Sequence, residues 1–107
     1  MPTNTELYDA AVKLKDQGNL EGGIAKLREI IAQDPNYALA HGALSIYLGR
    51  LQRHAEAVVH ARKVCELEPG DPRSFSTLSV VAQRAGHIQE AEDAKAKAHM
   101  LAGSQNH

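Results

Sequence analysis

Hydrophobic residues recur along this chain at helical spacing, in blocks parted by turn residues. Leu7, Ala10, Ala11 and Leu14 fall three and four apart, one face of a helix over about 4–17. Thr3 and Glu6 form a T-x-x-E capping box at its start, with Pro2 just outside. Gly18 and Asn19 then break the pattern, a glycine for the turn and an asparagine as the next N-cap. A second helix over 20–33 carries Ile24, Leu27, Ile30 and Ile31 on its apolar face. Gly22 and Gly23 weaken its first turn by about 1 kcal/mol each against alanine. Asp34-Pro35-Asn36 closes it, because proline cannot continue a helix and pushes its predecessor out of the helical region. The third helix, about 37–51, buries Leu44, Tyr47 and Leu48, and a fourth ends near Leu67. Between them Gln52 stands where a turn glycine is wanted, so this turn is expected to be the most strained. Glu68-Pro69-Gly70-Asp71-Pro72 is the strongest punctuation, with Asp71 as N-cap and Pro72 as first helical residue of a fifth helix, 72–84. Gly86 ends that helix, a sixth covers about 87–102, and Gly103 to His107 are expected to fray. No stretch settles into the two-residue period of a strand. The pattern predicts an all-α fold of six antiparallel helices.

The blocks are also copies of one another. Pro35 and Pro69 lie 34 residues apart, as do Ala57 and Ala91, and the small residue at those last two positions is Gly23 in the first copy. A fixed period of this length marks a repeat architecture, in which each unit buries its face only against its neighbours. The copies differ in one informative way. Ile24, Leu27 and Ile31 correspond to Val58, Ala61 and Cys65, but then to Glu92, Lys95 and His99. At the other end Tyr47 and Val81 correspond to Lys13. Polar terminal units keep such arrays soluble, so the repeats at about 4–37, 38–71 and 72–105 are expected to make one complete domain over 1–107.

Composition narrows the function. Aromatic residues are only 4% of the chain, so the core has to be built from Ala, Leu, Ile and Val. The formal net charge of −1 lacks the basic footprint of a nucleic-acid binder and leaves self-association open. Cys65 is the single cysteine, the N-terminus lacks a signal-peptide pattern, and no apolar run is long enough to span a membrane. A cytoplasmic protein without membrane contact is the simpler expectation.

These residues resemble the tetratricopeptide repeat (TPR), a helix–turn–helix family of the same 34-residue period. The landmarks are Leu7 and Phe75 early in the first helix of a repeat, the pairs Ala10-Ala11, Leu44-Ser45 and Leu78-Ser79, then Leu14 and Leu48. Gly18 and Gly86 mark the turns, Gly23, Ala57 and Ala91 the small position, and Pro35 and Pro69 the ends. Departures are His41 for the early large residue, Gln52 for glycine, Ala82 for leucine and Gly103 for the last proline. The resemblance implies a right-handed superhelix of three hairpins whose first helices line a concave groove. It also implies that peptides or other proteins bind there.

No catalytic motif is present: no G-x-S-x-G, P-loop, G-x-G-x-x-G or H-E-x-x-H. We therefore expect no enzyme and no cofactor. Cys65 reads as a small core residue rather than a reactive thiol near His99. The histidines, at 41, 54, 60, 87, 99 and 107, never pair at i, i+4, so no metal is expected; His41 and His54 read as partly buried helix contacts.

The family's carboxylate clamp, which grips chaperone tails, falls by repeat position on Tyr8, Val12, Ala43, Arg73 and Thr77, and only Arg73 keeps its chemistry. The same groove positions offer instead a stripe of Val12, Ile46 and Val80, one residue at 34-residue intervals. The family's geometry sets Tyr8 and Leu39 beside it, with Ala43 and Gly42 leaving room at the centre. Asp9 and Asp16 mark the first repeat and Arg50, Arg73 and Arg84 the other two. The bland alternative is that these aliphatics only complete helix packing. The expectation is a noncatalytic protein–protein interaction module that binds an apolar-anchored peptide or amphipathic helix with an acidic end. The rival is a self-assembling scaffold that uses the groove or the repeat ends to form homo-oligomers.

Overall fold

A computed structural model describes residues 1–105. It holds six helices: α1 (Asn4–Asp16), α2 (Leu20–Gln33), α3 (Ala38–Arg50), α4 (His54–Leu67), α5 (Pro72–Arg84) and α6 (Ile88–Gln105). No strand occurs among the described residues. Each hairpin, α1–α2, α3–α4 and α5–α6, packs most extensively on itself. Consecutive hairpins join through α2 on α3 and α4 on α5, and α3 also meets α5.

The caps are those the local sequence dictates. Thr3 and Glu6 form the reciprocal box: the Glu6 N–H donates to Thr3 Oγ1 at 3.1 Å and the Thr3 N–H to Glu6 Oε1 at 3.2 Å. Asn19 Oδ1 accepts from the Gly22 N–H at 2.8 Å, and a Cβ at Gly22 would sit 2.5 Å from the Asn19 side chain. Gly22 thus leaves room for its own helix cap. Asp71 accepts from the Arg73 N–H at 2.9 Å, with Pro72 opening α5.

The three intra-repeat turns are built alike. Asn19, Arg53 and His87 each donate a backbone N–H five residues back, to Leu14, Leu48 and Ala82, at 2.8–2.9 Å. That closure needs positive φ at the residue before: +84° at Gly18, +84° at Gly86 and 66° at Gln52. Gln52 holds the left-handed conformation that a Cβ disfavours by about 1–2 kcal/mol.

Ile24, Leu27, Ile30, Leu44, Leu48 and Val58 are fully buried and form the centre of the core. Gly23 lies beneath it, where a Cβ would come 3.1 Å from the Ala11 carbonyl oxygen and 3.1 Å from the Tyr47 ring. At the far end Glu92, Lys95 and His99 are exposed on α6, while their equivalents Ile24, Leu27, Val58, Ala61 and Cys65 are buried. Lys13 is likewise exposed where Tyr47 and Val81 are buried. Across hairpins, Arg28 binds Glu56 at 3.0 Å and Arg62 binds Glu90 in a bidentate pair at 2.6 and 2.7 Å. These are the same two positions one repeat apart, and Gly22 and Ala96 occupy the remaining places of this ladder.

The sixth helix departs from expectation. It runs through Gly103 to Gln105, and Ser104 Oγ donates to the Met100 carbonyl at 3.1 Å. Pro35 and Pro69 stop their helices by ring clash, whereas glycine at the third such position only weakens the helix. Asn106 and His107, the rest of the expected frayed tail, lie outside the described residues.

Two stability measurements check this packing. Gln52→Gly should raise the unfolding free energy by about 0.5–1 kcal/mol in denaturant titration, and an unchanged midpoint would show the turn to be unstrained. Gly23→Ala should destabilise by about 1–3 kcal/mol through contact with Tyr47. Tyr47→Val in the same chain should recover part of that loss, whereas additive effects would place the clash elsewhere.

Candidate functional site

The first helices of the hairpins, α1, α3 and α5, line a concave surface made of two adjoining cavities. The larger, about 550 Å³, is bordered by Tyr8 and Val12 from α1, Leu39, Ala43, Ile46 and Arg50 from α3, and Arg73 and Thr77 from α5. The second, about 470 Å³, takes in Ile46, Arg50 and Thr77 again and adds Val80 and Arg84. The shared residues make the two cavities one continuous groove. All ten residues singled out from the sequence border it.

Exposure sorts the aliphatics. Ile46 and Val80 are 47% and 48% exposed and Leu39 61%, so none of the three is spent on the core. Val12 and Tyr8 are half-buried, and Ala43 is buried yet still faces the cavity.

Charges separate into held and unheld. Lys15 binds Asp16 at 3.1 Å and Arg73 binds Asp71 at 3.3 Å. Arg50 and Arg84 are exposed and make no ion pair among the described residues. Asp9 borders neither cavity.

Some groove residues were not read from the sequence. Lys15, Glu68 and Asp71 add charge to the larger cavity, and His54 and Ser76 border the smaller. Val64 reaches the groove from the second layer because Gly42 above it has no side chain; a Cβ there would lie 4.0 Å from Val64 Cγ2. Tyr47 also faces the cavity, its hydroxyl pKa pushed up by burial. The five clamp positions, Tyr8, Val12, Ala43, Arg73 and Thr77, all border the larger cavity, and the one cation among them is already bound to Asp71.

Away from the groove, Cys65 is buried and directs its thiol to the Ser74 carbonyl at 3.4 Å. Burial, with Glu90 and Glu66 adding to it, pushes the thiol up to about 11. It stays protonated at neutral pH and serves as a small core residue.

His41 and His60 meet across the α3–α4 hairpin, their Nδ1 atoms 3.0 Å apart and their ring centroids 5.2 Å apart. His41 Nε2 lies 2.7 Å from the Pro35 carbonyl, which can only accept. His41 therefore carries its proton on Nε2, leaves Nδ1 as acceptor, and receives the proton of His60 Nδ1. Intrahelical spacing could not reveal a pair formed between two helices. His41 is buried, deeper than the partial burial expected of it, and His54 is half-buried.

No helix among the described residues is long and apolar enough to cross a membrane. No protein-family model matches the sequence, and no curated protein does either. Among solved structures, the chain is similar to MamA from residue 41 to its end, of Desulfovibrio magneticus RS-1, with a TM-score of 0.83 and 18% identity over 92% of this chain and 56% of that one. A crystal structure of MamA gives 0.89 and 19% identity over 96% of this chain and 60% of that one. The second TPR of Spaghetti (RPAP3), bound to HSP90 peptide SRMEEVD, gives 0.83 and 18% identity over 92% of this chain and 91% of that one. At these identities the likeness concerns the fold, and the fold is that of a tetratricopeptide-repeat array. The chain spans little more than half the length of the two MamA structures.

The imidazole pair makes stability depend on pH. Burial, then the neighbouring His41, then Arg28 lower the His60 pKa, and Glu56 opposes them. The folded protein thus takes up this proton less readily than the unfolded chain, whose histidines titrate near about 6.5. The contribution is full above that pH and is lost as pH falls toward the lowered folded value. Unfolding titrations between pH 7.5 and 5 should show falling stability, with a shallower fall in His60→Gln. An identical slope in that variant would dismiss the pair as the cause.

Proposed function

From the tetratricopeptide-repeat fold of this chain, we propose a noncatalytic protein-interaction module whose groove binds an apolar-anchored protein segment. The observation that carries this reading is the row of Ile46 and Val80, half-exposed aliphatics facing a shared cavity with Val12 alongside. A contiguous apolar stripe on a concave surface is how such domains gain affinity, through the helix-in-groove mode. The structural neighbours support the class: one is an RPAP3 TPR with an HSP90 peptide bound. Of the clamp positions only Arg73 carries a cation, and it stands 3.3 Å from Asp71, so this groove is poorly equipped to grip a charged tail and its ligand is anchored by aliphatic contacts. Arg50 and Arg84 supply the electrostatic complement to acidic residues on the same segment and set approach rate and orientation more than affinity. The ten groove residues are proposed as one binding unit on that basis.

Self-assembly is the rival. Val59, Ile88 and Met100 are exposed apolar residues outside the groove, and single exposed apolar residues are ordinary on folded surfaces. Light scattering over a concentration series should give a constant monomer mass, and a stoichiometric oligomer would favour the scaffold reading.

Ile46→Asp tests the groove directly. Ile46 is outside the core, so the variant should keep its circular dichroism and unfold within about 0.5 kcal/mol of the parent. Its capture of binding proteins from the native cell extract should be lost. Unchanged capture would move the working surface off the groove, and an unfolded variant would return Ile46 to the core.

A further inference from the structure

The groove carries two parallel rows. Four residues beyond Val12, Ile46 and Val80, one turn further along each helix, stand Asp16, Arg50 and Arg84. Residues four apart share a helix face, so the charged row runs beside the apolar one. Asp16 is tied to Lys15, which leaves the row neutral on α1. On α3 and α5 it is doubly positive, because Arg50 and Arg84 have no acidic partner among the described residues. Both arginines border the same cavity as Ile46 and Val80. The opposite edge is different. One turn before the apolar row lie Gly42 and Ser76, without charge, and beyond them Arg73 is held by Asp71. The positive potential therefore follows one long edge of the groove and is not gathered at one end.

We propose that the groove takes an amphipathic helix whose acidic residues form a strip alongside its apolar anchors, laid across α3 and α5. The proposal rests on the groove being the binding surface and adds the form and charge pattern of its ligand. Spacing selects the helix. The helices α3 and α5 meet, and helices in contact usually have axes about 8–10 Å apart. On a helix, residues seven apart return to the same face after about 10.5 Å. Like-facing residues of an extended chain come at about 6.6 or 13 Å and miss that interval. A helical ligand can thus set one anchor on Ile46 and the next on Val80, with acids beside each anchor meeting Arg50 and Arg84. The two arginines also stand in the last turns of their helices, where backbone carbonyls favour a cation. That role alone predicts no discrimination between ligands of different charge pattern, so binding separates the two.

The probes are three synthetic helix-forming peptides with leucines seven apart. In the first, glutamates flank the leucine row; in the second, the same glutamates are gathered at one end; in the third, glutamines replace them. Fluorescence anisotropy at low salt should show the first bound about tenfold tighter than the second, with the advantage shrinking as salt rises. In Arg50→Gln/Arg84→Gln, checked by circular dichroism to be folded, that advantage should vanish. Equal binding of the first two peptides overturns the proposal, as does an advantage that survives the double variant. Ile46→Asp keeps the two failures apart. If it abolishes both isomers equally, only the acidic strip is wrong. If no peptide binds in a way that depends on Ile46, or if the free protein is an oligomer that Ile46→Asp dissociates, the groove belongs to another occupant.

Discussion

The close approach of helices at one small residue per repeat is the contact on which the rest of this structure depends. Gly23, Ala57 and Ala91 are all buried, and they occupy the same place in the three hairpins. Two helices can cross this tightly only where one presents almost no side chain. At the first of the three a Cβ would crowd both the Tyr47 ring and the Ala11 carbonyl oxygen, each 3.1 Å away. One repeat later the counterpart of Tyr47 is Val81, smaller by most of a ring, and there alanine is accommodated. The smaller residue at one position goes with the larger at the other, as expected of an interior packed without spare room.

With the hairpins set at that distance, the repeat period controls everything that must align between them. Arg28–Glu56 and Arg62–Glu90 meet because the same positions recur. Exposed ion pairs of this kind add little stability; what they add is a preference for one alignment of neighbouring hairpins over a slipped one. The turns follow the same rule. Their closing hydrogen bonds are nearly identical in length, and the backbone holds positive φ even where the sequence offers Gln52 instead of glycine. The array imposes the turn on the residue.

How much of this was legible follows from where each signal resides. Features decided within one or two turns of helix could be read directly: the Thr3–Glu6 box, the Asp71–Pro72 start, the strain at Gln52. The change of Ile24 and Val58 to Glu92 could also be read, because equivalent positions of a repeat can be compared with each other. Contacts between residues at non-equivalent positions could not. His41 and His60 are 19 apart, no multiple of a helical turn or of the repeat, and only the α3–α4 crossing joins them. Val64 enters the groove for a similar reason, through the gap that Gly42 leaves in the layer above. The end of α6 lies beyond the expected one because Gly103, standing where the earlier repeats have proline, weakens a helix without stopping it.

The groove follows the same logic. A period of 34 residues brings the same helical face to the surface in α1, α3 and α5, so any residue type repeated at that interval becomes a row across the helices. Val12, Ile46 and Val80 make such a row, and half-exposure of the last two means that packing does not require their side chains. Arg50 and Arg84 make the neighbouring row. A third arginine, Arg73, borders the groove from the first turn of α5 and stands 3.3 Å from Asp71. Once it is set aside, the remaining cations lie along an edge. Charge type was visible in the sequence; which cations have an acidic neighbour was a matter of three-dimensional structure.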